Sequence, residues 1–171
     1  MRRLSLKHLI MIALLIALQI IFTRFLSFDN SIVRIGATFI PLALCSMMFG
    51  PISGGIAAAM ADVIGVILFY GGAYAYFPGF TLTAFLSGVV YGIFLFKNPQ
   101  KISNYIIAVL IVSVVFDLAL GTLWLSILMG KGYLALLPSR ILKCVIMTPV
   151  EVIVLRLLWK YLEKPIRRFM L

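Results

Sequence analysis

From Tyr105 to Met129 the chain reads YIIAVLIVSVVFDLALGTLWLSILM, and Asp117 is its only charged residue. About 20 consecutive apolar residues carry a helix across the hydrocarbon core of a bilayer. This stretch is long enough, and it is apolar around its whole circumference. A helix of that kind sits inside a large core or in lipid. Five more apolar runs lie on either side of it, at Leu9–Leu26, Ile35–Phe49, Ser53–Tyr70, Phe80–Phe96 and Pro138–Leu162. Polar or turn-forming residues separate them: Ser27 to Ser31, Gly50-Pro51, Gly71 to Gly79, Lys97 to Lys101, and Gly130 to Tyr133. The pattern predicts an all-α polytopic membrane protein of six transmembrane helices, a single bundle over residues 1–171.

Composition excludes a soluble globule. The chain is 64% hydrophobic with a mean hydropathy of +1.17, whereas soluble domains are nearer half apolar. Its net charge is +10, from 15 Lys+Arg against 5 Asp+Glu. In a soluble chain that balance would point to nucleic acid. Here the cations sit at the ends of apolar runs, where they set topology and meet lipid headgroups. With both termini cytoplasmic, the inner ends hold Arg2, Arg3, Lys7, Lys97, Lys101, Arg156, Lys160, Lys164, Arg167 and Arg168. The outer half holds fewer: Arg24, Arg34, Lys131, Arg140 and Lys143. Thr23-Arg24-Phe25 follows the first run where a cleavage site would need small residues, so that run is read as a retained span. Cys45 and Cys144 both lie in apolar segments and are read as packing residues.

The outer cations call for a second explanation besides topology. Arg140 and Lys143 lie three residues apart on one helix face, inside an apolar run. An intramembrane cation costs about 2.5–3.5 kcal/mol on insertion scales, so it usually faces a cavity or a partner. Asp29 is the obvious acid in that half. Tyr74, Tyr76, Phe77, Phe80, Trp124 and Tyr133 are interleaved with the cations. Cations beside aromatic planes suit a flat, anionic, partly apolar ligand. Snorkelling cations within an interfacial aromatic belt are the plainer alternative. Asp62, Asp117 and Glu151 lie deeper. They are either a proton or sodium relay or structural partners of the cations, and the structural role is favoured.

Small residues mark close helix contacts. Gly54, Ala57, Ala58 and Ala61 suit packing within the chain, whereas the Ala13 and Ala17 face of the first span suits contact with another protein. The sequence holds no nucleophile with a nearby base, no metal-ligand spacing and no phosphate-binding Gly-rich loop. Neither an enzyme nor a cofactor-dependent protein is expected.

Several motifs together resemble the S-components of energy-coupling factor (ECF) vitamin transporters, most closely their folate-specific members. They are Phe77-Pro78-Gly79-Phe80-Thr81-Leu82-Thr83-Ala84-Phe85-Leu86-Ser87-Gly88 with Tyr91-Gly92, Thr122-Leu123-Trp124-Leu125-Ser126, and Leu137-Pro138-Ser139-Arg140-Ile141-Leu142-Lys143. Ala13 and Ala17 match the family's Ala-xxx-Ala motif. One position departs: Gly121 stands where the folate members are expected to carry Asn. The resemblance implies a six-helix protein of the prokaryotic plasma membrane that captures a vitamin outside the cell. Loops after spans one, three and five would close over it. Docking through Ala13 and Ala17 onto a transmembrane coupling protein with two ATPases would then deliver it. It also implies a folate site with Arg140 as carboxylate clamp, assisted by Arg24 and Lys143. Trp124, Phe77 and Phe80 would sandwich the rings around Pro78 and Gly79, and Asn30 and Thr81 would read the pterin edge. An S-component for thiamine, riboflavin or a queuosine precursor is the nearest alternative. A small proton-coupled secondary transporter using Asp62, Asp117 and Glu151 is the next.

Overall fold

Inside lipid the backbone has no water to bond, so each apolar run closes its own hydrogen bonds as a helix. The computed structural model describes residues 6–25, 27–29, 34–70, 76–130 and 132–170. In chain order it contains α1 (Leu6–Arg24), β1 (Ser27–Asp29), β2 (Arg34–Gly36), α2 (Phe39–Phe49), α3 (Pro51–Tyr70), α4 (Pro78–Leu95), α5 (Ile102–Met129) and α6 (Tyr133–Met170). The fold is all-α apart from one short hairpin. Four helices, α1, α3, α4 and α5, are long and apolar enough to cross a membrane. α2 has 11 apolar residues, about 16 Å of helix at 1.5 Å per residue. α6 is the longest at 38 residues.

Exposure is distributed as a bilayer requires. Large apolar side chains face outward, among them Ile10, Leu14, Ile67, Leu68, Leu142 and Val145. Polar Gln19, Ser46, Ser87, Ser113, Thr122 and Glu151 are buried instead. A soluble protein shows the reverse.

The helical segments depart from the expected spans in four places. Ile35 does not begin α2. Arg34, Ile35 and Gly36 pair antiparallel with Asp29, Phe28 and Ser27, so Arg34 belongs to a hairpin and not to a helix start. Cross-strand bonding satisfies the backbone after α1 ends, where no helical ladder is available. Pro51 opens α3 rather than ending α2. Gly50 turns the chain with φ of 89°, and proline suits the first position of the following helix because its missing N–H would be unpaired there anyway. Helix α5 starts early, at Ile102, and widens to π geometry over Val112–Leu120. Helix α6 overruns the expected span at both ends, and it continues without a break through Pro138 and Pro149. Hydroxyls next to these prolines bond carbonyls of the preceding turn: Ser139 Oγ donates to Leu136 at 3.0 Å and Thr148 Oγ1 to Cys144 at 2.7 Å. Towards its C-terminal end α6 is tied to the α4–α5 turn, where Gln100 Nε2 donates to Glu163 Oε1 at 3.2 Å. Cys45 and Cys144 are both free thiols.

The tightest packing joins α3 to α4. A Cβ on Gly88 would lie 2.7 Å from the Gly54 carbonyl oxygen and 2.8 Å from Gly55 Cα. One on Gly55 would meet the Phe85 carbonyl oxygen at 2.9 Å. The two backbones therefore touch directly, as small residues permit. Ala57, Ala58 and Ala61 are buried alongside, so the small-residue face of α3 serves packing within the chain.

Gly88→Val would push a side chain into backbone that cannot yield. Overpacking of that kind costs about 1–3 kcal/mol, and we expect a lower melting temperature and more aggregate in detergent. Gly132→Ala, whose Cβ would meet nothing within 4 Å, serves as the control and should melt like the parent chain. Equal melting of the two variants would show that the α3–α4 contact is looser than described.

Candidate ligand site at the hairpin end

The first turn of α4, the last turns of α5, the first turns of α6 and the C-terminal half of α3 gather at the end of the bundle that carries the hairpin. Phe77 is extended, with φ −114° and ψ 109°, and Pro78 follows as the first residue of α4. That corner places Phe77 over Gly79. A Cβ on Gly79 would fall 2.7 Å from Trp124 Cδ2, so the indole of α5 also rests on bare backbone. Phe77 and Trp124 have ring centroids 5.4 Å apart, tilted by 49°, and Phe77 and Phe80 meet edge-on at 5.9 Å. Trp124 Nε1 donates to Thr83 Oγ1 at 3.1 Å, and Thr83 Oγ1 donates to the Gly79 carbonyl at 2.8 Å. This chain fixes the indole plane. The cluster offers flat apolar faces, with the polar edge of the indole already satisfied.

A ring held between Phe77 and Trp124 needs two carbon–carbon contacts of about 3.5 Å each. The 5.4 Å spacing leaves no such gap. A flat ligand therefore lies on an outer ring face or moves Phe77 aside.

Arg140 and Lys143 of α6 both turn towards α5. Lys143 Nζ lies 2.7 Å from Asp117 Oδ2. Arg140 Nη1 donates to the Asp117 backbone carbonyl at 2.8 Å. That carbonyl stands where the π segment returns to α geometry, a change that disturbs the regular hydrogen-bond ladder. Gly121 makes the approach possible, because its Cβ would come within 2.8 Å of Nη1. The departure noted at this position thus has a physical counterpart: a side chain there would displace the guanidinium. Asp117 thus takes the structural role favoured for the deep acids, as partner of these cations. Arg140 Nε is buried without a hydrogen-bond partner. Beside these groups lies a cavity of about 10 Å³ lined by Ser113, Asp117, Arg140, Lys143 and Glu151, among others, room for roughly one water.

The three deep acids separate. Asp117 pairs with Lys143, Glu151 accepts the Tyr91 hydroxyl at 3.4 Å, and Asp62 accepts the Thr81 hydroxyl at 2.7 Å. Asp117 and Glu151 share the small cavity, and Asp62 does not line it. Among the described residues no group of three or more His, Cys, Asp or Glu is placed to hold a metal. Of the residues singled out in the sequence, Phe77, Gly79, Phe80 and Trp124 come together around one backbone corner, and Arg140 and Lys143 converge on Asp117. Thr81 faces Asp62, and Pro78 positions the corner. The Arg24 side chain and Asn30 lie outside the described residues. Ala13 and Ala17 are exposed on α1. Thr83 was missed as the hydrogen-bond partner of Trp124. Its only sequence signal is a second hydroxyl two residues after Thr81.

Residues 7–159 match the family described as "ECF transporter, substrate-specific component". The chain belongs to that family. Among relatives of this S-component, the folate transporter FolT of Clostridium novyi (strain NT) is 44% identical over 156 residues, covering 91% of this chain and 90% of the relative. FolT of Leuconostoc mesenteroides is 28% identical over 88% of this chain and 83% of its own length. A crystal structure of FolT bound with folic acid superimposes with a TM-score of 0.85 at 39% identity, covering 90% of this chain and 93% of that one. The S-component for biotin from an ECF-type ABC transporter shares the fold, with a TM-score of 0.69 at 20% identity over 94% of each chain. The S-component is a membrane-embedded transport subunit and not an enzyme.

The Lys143–Asp117 pair joins α5 to α6 beneath the aromatic cluster. A double-mutant cycle with Asp117→Leu and Lys143→Met, read as thermal stability in detergent, should show a coupling of about 0.5–3 kcal/mol, the range for residues in direct contact. Strictly additive effects would mark the pair as incidental.

Proposed function

We propose that this S-component captures folate at the hairpin end, which faces outside the cell, and delivers it by docking on an ECF energising module. The likeness to FolT bound with folic acid carries this reading. The chemistry at the hairpin end supports it. Folic acid joins a flat pterin and a benzoyl ring to a glutamate with two carboxylates. Trp124, Phe77 and Phe80 supply ring faces, with Pro78 and Gly79 forming the corner beneath them. Arg140, Lys143 and Arg24 supply positive charge for the carboxylates, with Arg140 the bidentate clamp. Arg140 would exchange its bond to the Asp117 carbonyl for one to the ligand. Asn30 and Thr81 would read the pterin edge.

Residues 1–171 act as one substrate-binding domain. All six helices cross the membrane, with both termini cytoplasmic, consistent with the excess of Lys and Arg at that end. The exposed Ala13 and Ala17 form a flat strip on α1 against which a helix of the transmembrane coupling protein packs closely. Two ATPases bound to that partner supply the energy, because this chain carries no phosphate-binding loop.

Isothermal titration with folic acid tests the site. Arg140→Ala should weaken binding at least about tenfold, since a hydrogen bond to a charged group contributes about 1.5–3 kcal/mol. Trp124→Ala should do likewise through lost ring contact. Unchanged affinity in both variants sinks the site, and a different vitamin identified by mass spectrometry on the purified protein sinks the substrate.

The docking face is tested separately. Replacing Ala13 and Ala17 by Arg should leave folate affinity intact and abolish uptake in cells that carry the energising module. Uptake at the parental rate would move the docking surface off α1.

A further inference from the structure

Asp62 is a carboxylate on a membrane-crossing helix, flanked by buried Ala61 and apolar Val63. Among the described residues only one of its oxygens is used: Oδ2 accepts the Thr81 hydroxyl at 2.7 Å. No cation among the described residues pairs with it. An ionised carboxylate offers about four acceptor positions, so most of its capacity is unspent. Intramembrane acids are costly and generally serve a partner or a ligand.

Its surroundings indicate which. The Thr81 hydroxyl also shares a hydrogen bond with the Tyr76 hydroxyl at 3.0 Å. Thr81 follows Phe80 and Tyr76 precedes Phe77, so Asp62 is one hydrogen bond from the rim of the aromatic cluster. The Thr81 proton already lies on Asp62, which leaves Thr81 poorly placed to recognise a ligand by itself. An acceptor of donors is what remains.

Resting on the folate reading, we propose that Asp62 recognises the aminopyrimidinone edge of the pterin. That edge presents an exocyclic amino N–H and a ring N–H side by side, a fork that both oxygens of one carboxylate accept together, as they accept a guanidinium. Thr81 is the positioning residue: by holding Oδ2 it sets the plane of the carboxylate. The competing role for Asp62 is a plain tie between α3 and α4. The two roles separate experimentally, because an Asn at this position still accepts from Thr81 and keeps the tie.

The test is isothermal titration of the full chain in detergent, with folic acid and with an analogue whose 2-amino group is replaced by methyl. The parent protein should prefer folic acid at least about tenfold. Asp62→Asn should lose folic acid affinity at least about tenfold and bring the preference close to unity, while its melting temperature stays near the parent's. Thr81→Val should reduce the preference, and Thr81→Ser should restore it. A parent protein that binds both ligands equally overturns the proposal without recourse to any variant. So does an Asp62→Asn protein that keeps the parental preference. A parent protein that binds neither ligand overturns the folate reading itself.

Discussion

The direct contact between the backbones of α3 and α4 governs what happens at the hairpin end of the bundle. Gly55 and Gly88 bring the two helices together without intervening side chains, with Gly88 against the Gly54 carbonyl. At that separation a short hydroxyl on α4 reaches a short carboxylate on α3, which is how Thr81 meets Asp62. A pair of leucines at the crossing would hold the axes further apart, and a hydrogen bond of 2.7 Å between such short side chains would be out of reach. The same contact sets the height of the first turn of α4. It therefore sets where the Phe77–Gly79 corner receives Trp124 from α5.

Polar groups in the other half are arranged by a different constraint, the need to satisfy backbone and charge away from water. Helix α5 widens over Val112–Leu120. Thr122 then bonds the Leu118 carbonyl and Arg140 bonds that of Asp117. The Asp117 side chain holds Lys143. Two cations that looked like excess positive charge are thus partly committed to α5. This bears on the proposed binding: a ligand carboxylate held by these cations would compete with a carbonyl for Arg140 and with Asp117 for Lys143. Competition of this kind favours a ligand that presents two carboxylates at once over one that presents a single charge.

Much of the clustering at the hairpin end was legible in the sequence, and the omissions have physical causes. The aromatic cluster was readable because Phe77, Pro78, Gly79 and Phe80 form one compact stretch and Trp124 lies near the end of a long apolar run. The sequence favoured the deep acids as structural partners of the cations but did not single out Asp117, because nearness along the chain and membrane depth were the only guides. Asp117 is 23 residues from Arg140 and 26 from Lys143, and only the packing of α5 against α6 joins them. The start of α2 was misplaced because Ile35 is apolar enough for a helix, while strand pairing with Phe28 depends on a residue across a turn. The ends of α6 were misplaced because Pro138 and Pro165 read as boundaries, whereas the helix runs through both; next to Pro138 the Ser139 hydroxyl bonds the Leu136 carbonyl.

By itself the sequence determined the solvent. Six runs with almost no charge are too many for a chain of 171 residues to bury in a core of its own, so they are stable as helices in lipid, and this needs no knowledge of neighbours, because hydrophobic transfer depends on each residue's own surface. It also determined that cations, rings and small residues would be concentrated in particular segments. Tertiary structure decided which of these meet. Hydrogen bonds and ion pairs act over about 3 Å, and only helix packing places atoms from distant segments that close together. That is why Asp62, unremarkable as one acid in an apolar run, became a candidate reader of the ligand once α3 lay against α4.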